Sequence, residues 1–469
     1  MRYKDYFNSV AGKRVRERKR HAYYWNDITR YCNYFSHENI SVLEIGCGTG
    51  ETIHDIKAKR KVGIDYSEKM IEIAKNRFND VEFHVMAAEE IHLDEKFDLI
   101  ILSNLVGFLD DVQSVFNQLN KVCHSRTKII VTYYNFLWEP LVKFAELTGI
   151  KRKTPNQNWL LKHDIKNLLA LSGFDVYRKA NTMMFPFYIP LLSSFLNRFL
   201  VRMPLFRLLA LNSFTFAKPS AGKQGNAKDS FSVSIVIPAR NEAGTIESAI
   251  QRIPEFGKSQ ELIFVEGNST DNTWEVLNDV QKKYSGTHNI RIVQQQGKGK
   301  NDAVKKGFSM ATGEVLMILD ADLTMPPEEL PKFYEAIAGG QGDFIIGSRL
   351  VYEMESGAMR LLNLLGNKFF SFVFSWLLEQ PIKDTLCGTK VIFRSDYEML
   401  VSNQRFFGDF DPFGDFDLIF GAYKLNLHMV EIPIRYRERT YGSTNISRFR
   451  NGMVLLKMCF FAARKIKFI

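Results

Sequence analysis

The stretch Leu316-Met-Ile-Leu-Asp-Ala-Asp-Leu323 decides the fold of the second half of this 469-residue chain. Its apolar residues predict a buried strand that ends at two acids, Asp320 and Asp322. Residues i and i+2 of an extended chain point the same way, so the two carboxylates converge. They would repel each other unless a cation lay between them, and hard oxygen ligands suit Mg²⁺ or Mn²⁺. The pattern predicts a metal site with Asp320 and Asp322 as ligands; two surface acids at a strand end are the alternative.

The segments around this strand predict a site for a phosphorylated ligand. The half opens with Val233-Ser-Ile-Val-Ile-Pro-Ala-Arg-Asn-Glu242, a strand that runs into a polar turn. A second strand ends in Phe264-Val-Glu-Gly-Asn-Ser-Thr-Asp-Asn-Thr273. The stretch Gly297-Lys-Gly-Lys-Asn-Asp-Ala303 combines flexible backbone with two lysines, which suits a diphosphate. An exposed basic turn is the alternative interpretation of that stretch.

These segments resemble the family 2 inverting glycosyltransferases of GT-A fold, from the first strand to about residue 450. The resemblance implies a nucleoside-diphosphate sugar as donor and the DXD metal motif at Asp320 and Asp322. One departure concerns the base of the nucleotide: many relatives have two consecutive acids where this chain has Glu266 and Gly267. The residues that the resemblance assigns to the donor are Pro238, Arg240, Glu242, Glu266, Asp271, Lys298, Lys300, Asp320, Arg349, Lys390, Arg437 and Arg439. For Asp271, capping of a helix is the alternative role.

Later segments bear on the sugar acceptor. Gly347-Ser-Arg349 and Asp384–Arg394 resemble the polyprenyl-phosphate sugar synthases, such as dolichol-phosphate mannose synthase. The alternating arginines from Arg435 to Arg439 lie on one face of a strand-like segment and suit phosphate. Sugar transfer to a hydroxyl needs a general base, for which Asp415 and Asp417 are the candidates. A lipid-phosphate acceptor is already ionised and needs no base.

The first half carries a different constellation. The strand in Val42-Leu-Glu-Ile-Gly-Cys-Gly-Thr-Gly50 runs directly into three glycines, which let the backbone turn tightly and approach a ligand. About 20 residues later the next strand ends at Asp65, where a carboxylate can accept hydrogen bonds from both ribose hydroxyls. The glycine spacing is GxGxG, which disfavours a Rossmann-like nicotinamide site.

This constellation resembles motif I of the class I S-adenosylmethionine-dependent methyltransferases, and the resemblance extends to about residue 180. The family often has an acid after the third strand, where this chain has Ala87, so Glu89 is the substitute. The resemblance supplies no methyl acceptor, and a domain that binds the cofactor without catalysis stays open. The residues that it assigns to S-adenosylmethionine are Glu44, Gly46, Gly48, Gly50, Asp65, Tyr66 and Glu89.

The whole chain is therefore expected to form two doubly wound α/β domains, a Rossmann-like methyltransferase and a GT-A transferase. Alternating strands and helices predict parallel sheets in both. The polar, glycine-containing stretch 218–230 is the predicted linker between a domain at 1–217 and a domain at 231–469. The five cysteines form no CxxC pair, which argues against a structural zinc site or a disulfide framework and fits the cytosol.

The formal net charge of +10 points to phosphorylated substrates more than to nucleic acid, because the densest basic patch of the second half lies beside the predicted donor site. Two apolar stretches, 185–216 and 453–469, are interrupted by charges or prolines and predict interfacial or core helices. Peripheral contact with the inner face of the membrane is one interpretation of the C-terminal stretch. Ordinary partly buried helices explain it equally well.

The leading functional hypothesis is a bifunctional enzyme of glycan or glycolipid biosynthesis. The second half transfers a sugar with inversion to a glycan or polyprenyl-phosphate acceptor, and the first half methylates the same glycan or a related intermediate. One alternative is a polyprenyl-phosphate glycosyl synthase whose first half only binds a nucleoside ligand. The other is a non-catalytic scaffold of two nucleotide-binding domains.

Overall fold

The computed structural model describes residues 3–155, 157–221, 230–351, 361–402, 415–437, 439, 441 and 448–468. The chain forms two compact units, residues 1–220 with 468–469, and residues 221–467. Each unit is built on one seven-stranded sheet. Among the described residues, no helix is long and apolar enough to cross a membrane.

The first unit begins with two helices. Its helices and strands are α1 (Lys4–Arg20), α2 (Ala22–Tyr34), β1 (Ser41–Ile45), α3 (Glu51–Asp55), β2 (Arg60–Asp65), α4 (Glu68–Arg77), β3 (Glu82–Val85), β4 (Phe97–Ser103), α5 (Val112–Val122), β5 (Cys123–Tyr134), α6 (Glu139–Leu147), α7 (Lys162–Leu171), β6 (Phe174–Thr182), α8 (Leu192–Ser194) and β7 (Asn212–Pro219).

The sheet of the first unit has the strand order β3-β2-β1-β4-β5-β7-β6. Strands β1 to β5 pair in parallel, whereas β7 runs antiparallel to both β5 and β6. The prediction of a wholly parallel sheet was therefore wrong at this edge. The predicted helical character of 185–216 was also wrong at its end, because β7 inserts there between two strands and buries Phe214 and Phe216.

The order of the strands reverses between β1 and β4, and open α/β sheets bind ligands at such a switch point. Fully buried aliphatic side chains on one face of the sheet form a cluster that holds the central strands, among them Leu43, Ile64, Ile100 and Ile129. The core therefore fixes the carboxyl ends of β1 and β2, from which the glycine turn and Asp65 project.

The second unit alternates strands and helices in the same manner. Its elements are β8 (Val233–Ala239), α9 (Ile246–Arg252), β9 (Gln260–Glu266), α10 (Thr273–Tyr284), β10 (Asn289–Gln294), α11 (Lys300–Met310), β11 (Val315–Ile318), α12 (Leu330–Ala338), β12 (Phe344–Ser348), α13 (Leu361–Leu378), β13 (Lys390–Phe393), α14 (Arg394–Ser402), α15 (Asp415–Lys424), β14 (Met429–Pro433) and α16 (Arg448–Ala462).

The second sheet has the order β10-β9-β8-β11-β13-β12-β14. Strand β13 runs antiparallel to β11 and β12, which again corrects the expectation of a purely parallel sheet. The order reverses between β8 and β11, and Ile318 of β11 pairs with Val236 of β8. This register brings Asp320, just beyond β11, to the level of Pro238, near the end of β8.

Candidate functional site

The glycine turn after β1 is held by backbone hydrogen bonds and left-handed backbone. Gly46, Gly48 and Gly50 have φ angles of +73°, +55° and +84°, a region that favours glycine. The N–H of Gly46 donates to the carbonyl of Ile64 on β2 (2.8 Å). A Cβ at Gly50 would lie 2.7 Å from the ring of Phe83. The sequence therefore needs glycine here for both conformation and space.

Asp65 at the end of β2 ties this turn to the next one. Its Oδ2 accepts the N–H of Gly48 (2.9 Å), and its Oδ1 accepts the N–H of Ser67 (2.9 Å). Burial raises the pKa of Asp65, and these two backbone hydrogen bonds oppose the increase. The carboxylate is thus fixed in orientation beside the glycines.

A cavity of about 600 Å³ opens from this turn. The predicted residues Gly46, Gly48, Asp65, Tyr66 and Glu89 all line it, and its size suits a nucleoside-sized ligand. Other parts of its wall come from residues that the sequence did not assign to the cofactor. They lie on α1 and α2 and after β4, and include Arg14, Arg18, Tyr24 and Asn104.

Glu44 and Gly50 are not among the residues that line this cavity. Glu44 is buried, and its Oε2 accepts the N–H of Ile53 (3.0 Å) on α3. Burial raises the pKa of Glu44 to about 8, against the opposing charge of Arg18. In this structure Glu44 fixes the helix that follows the glycine turn, and its contact with a cofactor stays a prediction.

The two acids after β11 are each paired with a cation. Asp320 Oδ1 lies 2.5 Å from Nζ of Lys300, the first residue of α11. Asp322 Oδ2 accepts from Arg439 (2.8 Å), while its Oδ1 accepts the N–H (3.1 Å) and the hydroxyl (2.8 Å) of Thr324. We call these four charged side chains, Asp320, Asp322, Lys300 and Arg439, the DXD centre.

Further cations of the second unit lower the pKa of Asp320 by electrostatic attraction. Burial opposes the ionisation of Asp320, but the charges of Lys300, Lys390 and Arg349 outweigh it and keep its pKa below the ordinary value. Lys390 is buried on β13, where its Nζ donates to the carbonyl of Cys387 (2.6 Å). Asp320 therefore favours its ionised form, within a centre that holds two acids and two cations.

Glu242 is the third acid of this region. Its Oε1 lies 3.1 Å from Arg439, which joins it to Asp322. Burial raises its pKa to about 7; Arg439 opposes this increase, and Asp322 adds to it. Within the described part of the chain, no hydrogen-bond donor reaches its buried Oε2. Glu242 therefore adds a buried third carboxyl beside the DXD centre, with one oxygen paired and the other without a donor among the described residues.

Several predicted donor residues have structural partners instead. Arg349 makes a two-pronged ion pair with buried Asp384 (2.7 and 2.8 Å). Asp271 accepts from the N–H and hydroxyl of Thr273, which in turn accepts the N–H of Glu242 (3.0 Å). Buried Glu266 accepts the N–H of Ser269. Their contacts with a donor stay predictions.

The remaining donor residues lie along the same end of the sheet. Pro238 is part of β8, and Arg240, Lys298 and Arg437 are exposed. The N–H of Arg437 donates to the carbonyl of Thr324 (2.9 Å), which fastens the arginine segment beside the DXD turn. Gly267 replaces the second acid of the family pattern, and a Cβ there would lie 3.0 Å from Cβ of Arg240.

Of the two predicted general bases, the structure describes the side chain of Asp417 alone; that of Asp415 lies outside the described residues. Asp417 Oδ2 lies 3.4 Å from both Lys305 Nζ and Asn301 Nδ2 of α11. This is the helix that supplies Lys300 to the DXD centre. Asp417 is therefore in the neighbourhood of the centre and is held by a cation.

Gly388 is a residue whose role the sequence did not reveal. A Cβ at this position would collide with Oδ2 of Asp320 and Nζ of Lys300. Because β13 is antiparallel, the turn before it passes directly over the DXD centre. The prediction of a parallel sheet gave no reason to look for that contact.

The comparisons with known proteins divide the chain in the same way. Residues 36–182 match the family model described as a methyltransferase domain, and residues 234–401 match the model of glycosyl transferase family 2. A solved S-adenosylmethionine-dependent methyltransferase from Thermotoga maritima is 17% identical with a TM-score of 0.37; the match covers 46% of this chain and 98% of that one.

Two curated proteins are similar to the second half. Dolichol-phosphate mannosyltransferase of Pyrococcus furiosus is 38% identical over 122 residues, which cover 25% of this chain and 33% of that protein. Glycosyltransferase AglJ of Haloferax volcanii is 29% identical over 227 residues, 48% of this chain and 69% of that protein. The chain thus spans one third of the length of the first relative.

Alanine substitutions at two glycines after β1 should separate two losses of folding stability. One is the cost of left-handed backbone for a residue other than glycine, and the other is the cost of a steric clash. Gly50→Ala meets Phe83, so we expect it to lower the free energy of unfolding by about 2–4 kcal/mol. Gly48→Ala has no atom within 4 Å of its Cβ and should cost about 1 kcal/mol, for backbone alone. Chemical unfolding of both variants measures the difference. Equal losses would contradict the packing described for Gly50.

Glu44 predicts a pH dependence of stability. Its pKa is about 8 in the folded protein and 4.5 as an ordinary side chain, so the folded state holds a proton that the unfolded state loses between these values. Stability must therefore fall as the pH rises through this window, by on the order of a few kcal/mol. Glu44→Gln removes this titration and keeps an acceptor for Ile53.

The measurement is thermal unfolding at about pH 5.5 and about pH 8.5. The decrease on raising the pH should be smaller in Glu44→Gln than in the unaltered chain. Glu38→Gln, at an exposed acid of the same unit, is the control and should leave the slope unchanged. An unchanged slope in Glu44→Gln would contradict the burial assigned to this carboxyl.

Gly388→Ala should damage the DXD centre without unfolding the unit. The added methyl displaces Lys300 from Asp320. If this centre binds the nucleotide sugar that the sequence predicts, its affinity should fall about tenfold. Gly286→Ala, whose Cβ has open space, is the matched control and should bind normally. Titration calorimetry on both variants decides the matter, and normal binding by Gly388→Ala would contradict the close approach.

Proposed function

The chain carries a methyltransferase domain followed by a family 2 glycosyl transferase domain, and we propose that it is a bifunctional transferase of glycan or glycolipid assembly. The second domain transfers a sugar from a nucleoside diphosphate, with inversion, and the first methylates the same product or a related intermediate. The observation that carries the proposal is the DXD centre, where two acids and two cations meet at the switch point of the sheet.

The charges of this centre suit a ligand that carries both signs. Asp320 and Asp322 attract a cation, and Lys300 and Arg439 attract an anion. A diphosphate that arrives with a divalent ion would pair with all four side chains. The two carboxylates would bind the divalent ion, and Lys300 and Arg439 would bind the diphosphate. Lys390, close to Asp320, would add to the attraction of the diphosphate.

The protein offers few ligands to a metal at the DXD centre. Within the described part of the chain, no group of three or more His, Cys, Asp or Glu side chains is close enough to hold an ion. Asp320 and Asp322 would therefore supply the protein's carboxylates to Mg²⁺ or Mn²⁺, with the diphosphate and water completing its shell. When bound, the ion supplies stabilisation of negative charge on the departing nucleoside diphosphate.

For the acceptor we propose a lipid phosphate. The relative from Pyrococcus furiosus is named for dolichol phosphate, and the exposed guanidinium of Arg437 lies on the segment fastened beside the DXD turn. An ionised phosphate oxygen attacks the sugar without a general base. On this proposal Asp417 positions Lys305 and Asn301 of α11, and Asp415 and Asp417 act as bases only for a hydroxyl acceptor.

In the first domain, the cavity beside the glycine turn is proposed to hold S-adenosylmethionine. Gly46 and Gly48 allow close approach of the amino-acid part, and Asp65 is oriented to accept from the ribose hydroxyls. Tyr66 and Glu89 line the same cavity and would face the adenine. The enzyme is proposed to work in the cytoplasm at the inner face of the membrane. The linker predicted at 218–230 is proposed to begin only after Pro219, because Lys218 and Pro219 belong to β7.

The test is titration calorimetry of the full chain with UDP, GDP and dTDP sugars in Mg²⁺ or Mn²⁺. Asp322→Asn keeps an acceptor for Thr324 but loses the ion pair to Arg439 and the charge for a metal. We expect it to bind the donor about 10–100-fold more weakly than the unaltered chain.

Glu247→Gln, at an exposed acid paired with Lys283, is the matched control and should bind as the unaltered chain does. Binding by the unaltered chain should disappear when the metal is removed with a chelator. Donor binding that survives both Asp322→Asn and the chelator would contradict the assignment of the DXD centre.

A further inference from the structure

The methyltransferase domain exposes a large apolar surface next to its cavity. More than half of the exposed large apolar side chains in the described part of the chain lie in two stretches, 136–150 and 187–209. The most exposed are Leu147 (83%), Leu191 (87%) and Leu205 (79%). Contiguous patches of this kind mark interaction sites rather than ordinary surface. We call the two stretches together the apolar platform.

The two stretches form one surface because hydrogen bonds join them. The indole of Trp138 donates to the carbonyl of Leu209 (2.9 Å). The carboxamide of Asn135 donates to the carbonyls of Leu208 (2.8 Å) and Ala210 (2.9 Å). Asn135 and Trp138 directly follow β5, and their partners at 208–210 directly precede β7. The hydrogen bonds therefore fasten both stretches to the core sheet.

The charges of the platform are predominantly positive. The stretch 187–209 contains three arginines and no acid; Arg198 and Arg207 are exposed, and Arg202 is buried. The other stretch is followed directly by Lys151, Arg152 and Lys153, and its two acids, Glu139 and Glu146, are paired with Lys143 and Lys151. Apolar side chains accompanied by an excess of basic ones are typical of surfaces that lie in the headgroup region of an anionic bilayer. A protein partner of matching character would have to be both apolar and acidic.

The cavity opens through this same platform. Leu141, Ile150 and Phe187 line the cavity and are also exposed on the platform. Trp138 and Phe185 extend this apolar wall, whereas Gly46 and Asp65 line another part of the cavity. A lipid surface that covered the platform would thus cover the entrance to the cofactor cavity.

We propose that the methyltransferase domain docks on an anionic lipid surface through the apolar platform and takes its methyl acceptor from that surface. The acceptor is then an amphiphile whose polar head enters the cavity while its hydrocarbon part stays in the lipid. The acceptor class rests on the proposed methyltransferase function; the docking surface does not.

The experiment is co-sedimentation of the full chain with vesicles of phosphatidylcholine and phosphatidylglycerol, and with vesicles of phosphatidylcholine alone. The variant is Leu147→Glu/Leu191→Glu/Leu205→Glu, at side chains so exposed that the fold should not depend on them. Leu171→Glu, at a 69% exposed leucine outside the platform, is the matched control. Affinity for S-adenosylmethionine, by calorimetry, reports on the fold of each variant.

The unaltered chain and Leu171→Glu should bind the anionic vesicles, more weakly at high salt, and the triple variant should bind about tenfold or more weakly. All three should bind S-adenosylmethionine equally. Vesicle binding that is undiminished in the triple variant, or absent from the unaltered chain, overturns the docking proposal. A dimer of the unaltered chain that the triple variant dissociates, without vesicle binding, would assign the platform to a second copy and also overturns it.

The failure of the proposed function gives a different result. If the unaltered chain binds vesicles through the platform but does not bind S-adenosylmethionine, the docking surface stands and the assignment of a methyl acceptor is overturned.

Exposed Phe460 of α16 provides a further comparison, since the sequence pointed to the C-terminal helix as a membrane contact. Phe460→Glu should leave vesicle binding unchanged; a loss equal to that of the triple variant contradicts the choice of the platform.

Discussion

Two like charges at the end of β11 impose the constraint on which the second domain depends. Asp320 and Asp322 lie where a buried strand ends, and their repulsion is opposed by cations from four places in the fold. Lys300 begins α11, Lys390 lies on β13, and Arg349 and Arg439 follow β12 and β14. The folding of this domain therefore brings distant cations to one pair of acids.

That arrangement also explains why the surrounding backbone is tightly specified. Gly388 must lack a side chain because the turn before β13 passes against Asp320 and Lys300. Arg439 joins Asp322 to Glu242, whose carboxyl has a pKa of about 7 because of its burial. A ligand that carries a metal and a diphosphate would exchange the internal ion pairs for external ones, and the proposed donor could bind and leave by this exchange.

The sequence predicted most of what local patterns determine. The strand predicted before the glycines is β1, and Gly46, Gly48 and Asp65 do line one cavity, because a strand, a glycine turn and a spaced acid follow from nearby residues. The two domain families were confirmed by the matches to both models. What failed was non-local: the antiparallel strands β7 and β13 depend on pairing between distant segments, which short-range periodicity does not contain.

The same distinction applies to individual residues. Glu44 and Arg349 are of the right type for ligand contacts, but they bind Ile53 and Asp384, partners that no local motif revealed. Gly388 and the wall formed by α1 and α2 were missed because their importance arises only when distant segments meet. The apolar stretch 185–216 was noticed, yet its division into an exposed platform and a buried strand required the tertiary structure.

The central claim is that one chain transfers both a sugar and a methyl group to products of the same pathway. The most direct measurement incubates the full chain with a membrane lipid extract, a ¹⁴C-labelled nucleotide sugar and S-adenosylmethionine with a ³H-labelled methyl group. The proposal predicts that both labels enter lipid products, and that the ¹⁴C label depends on a divalent ion. Sugar label without methyl label, at intact cofactor binding, would contradict the bifunctional account.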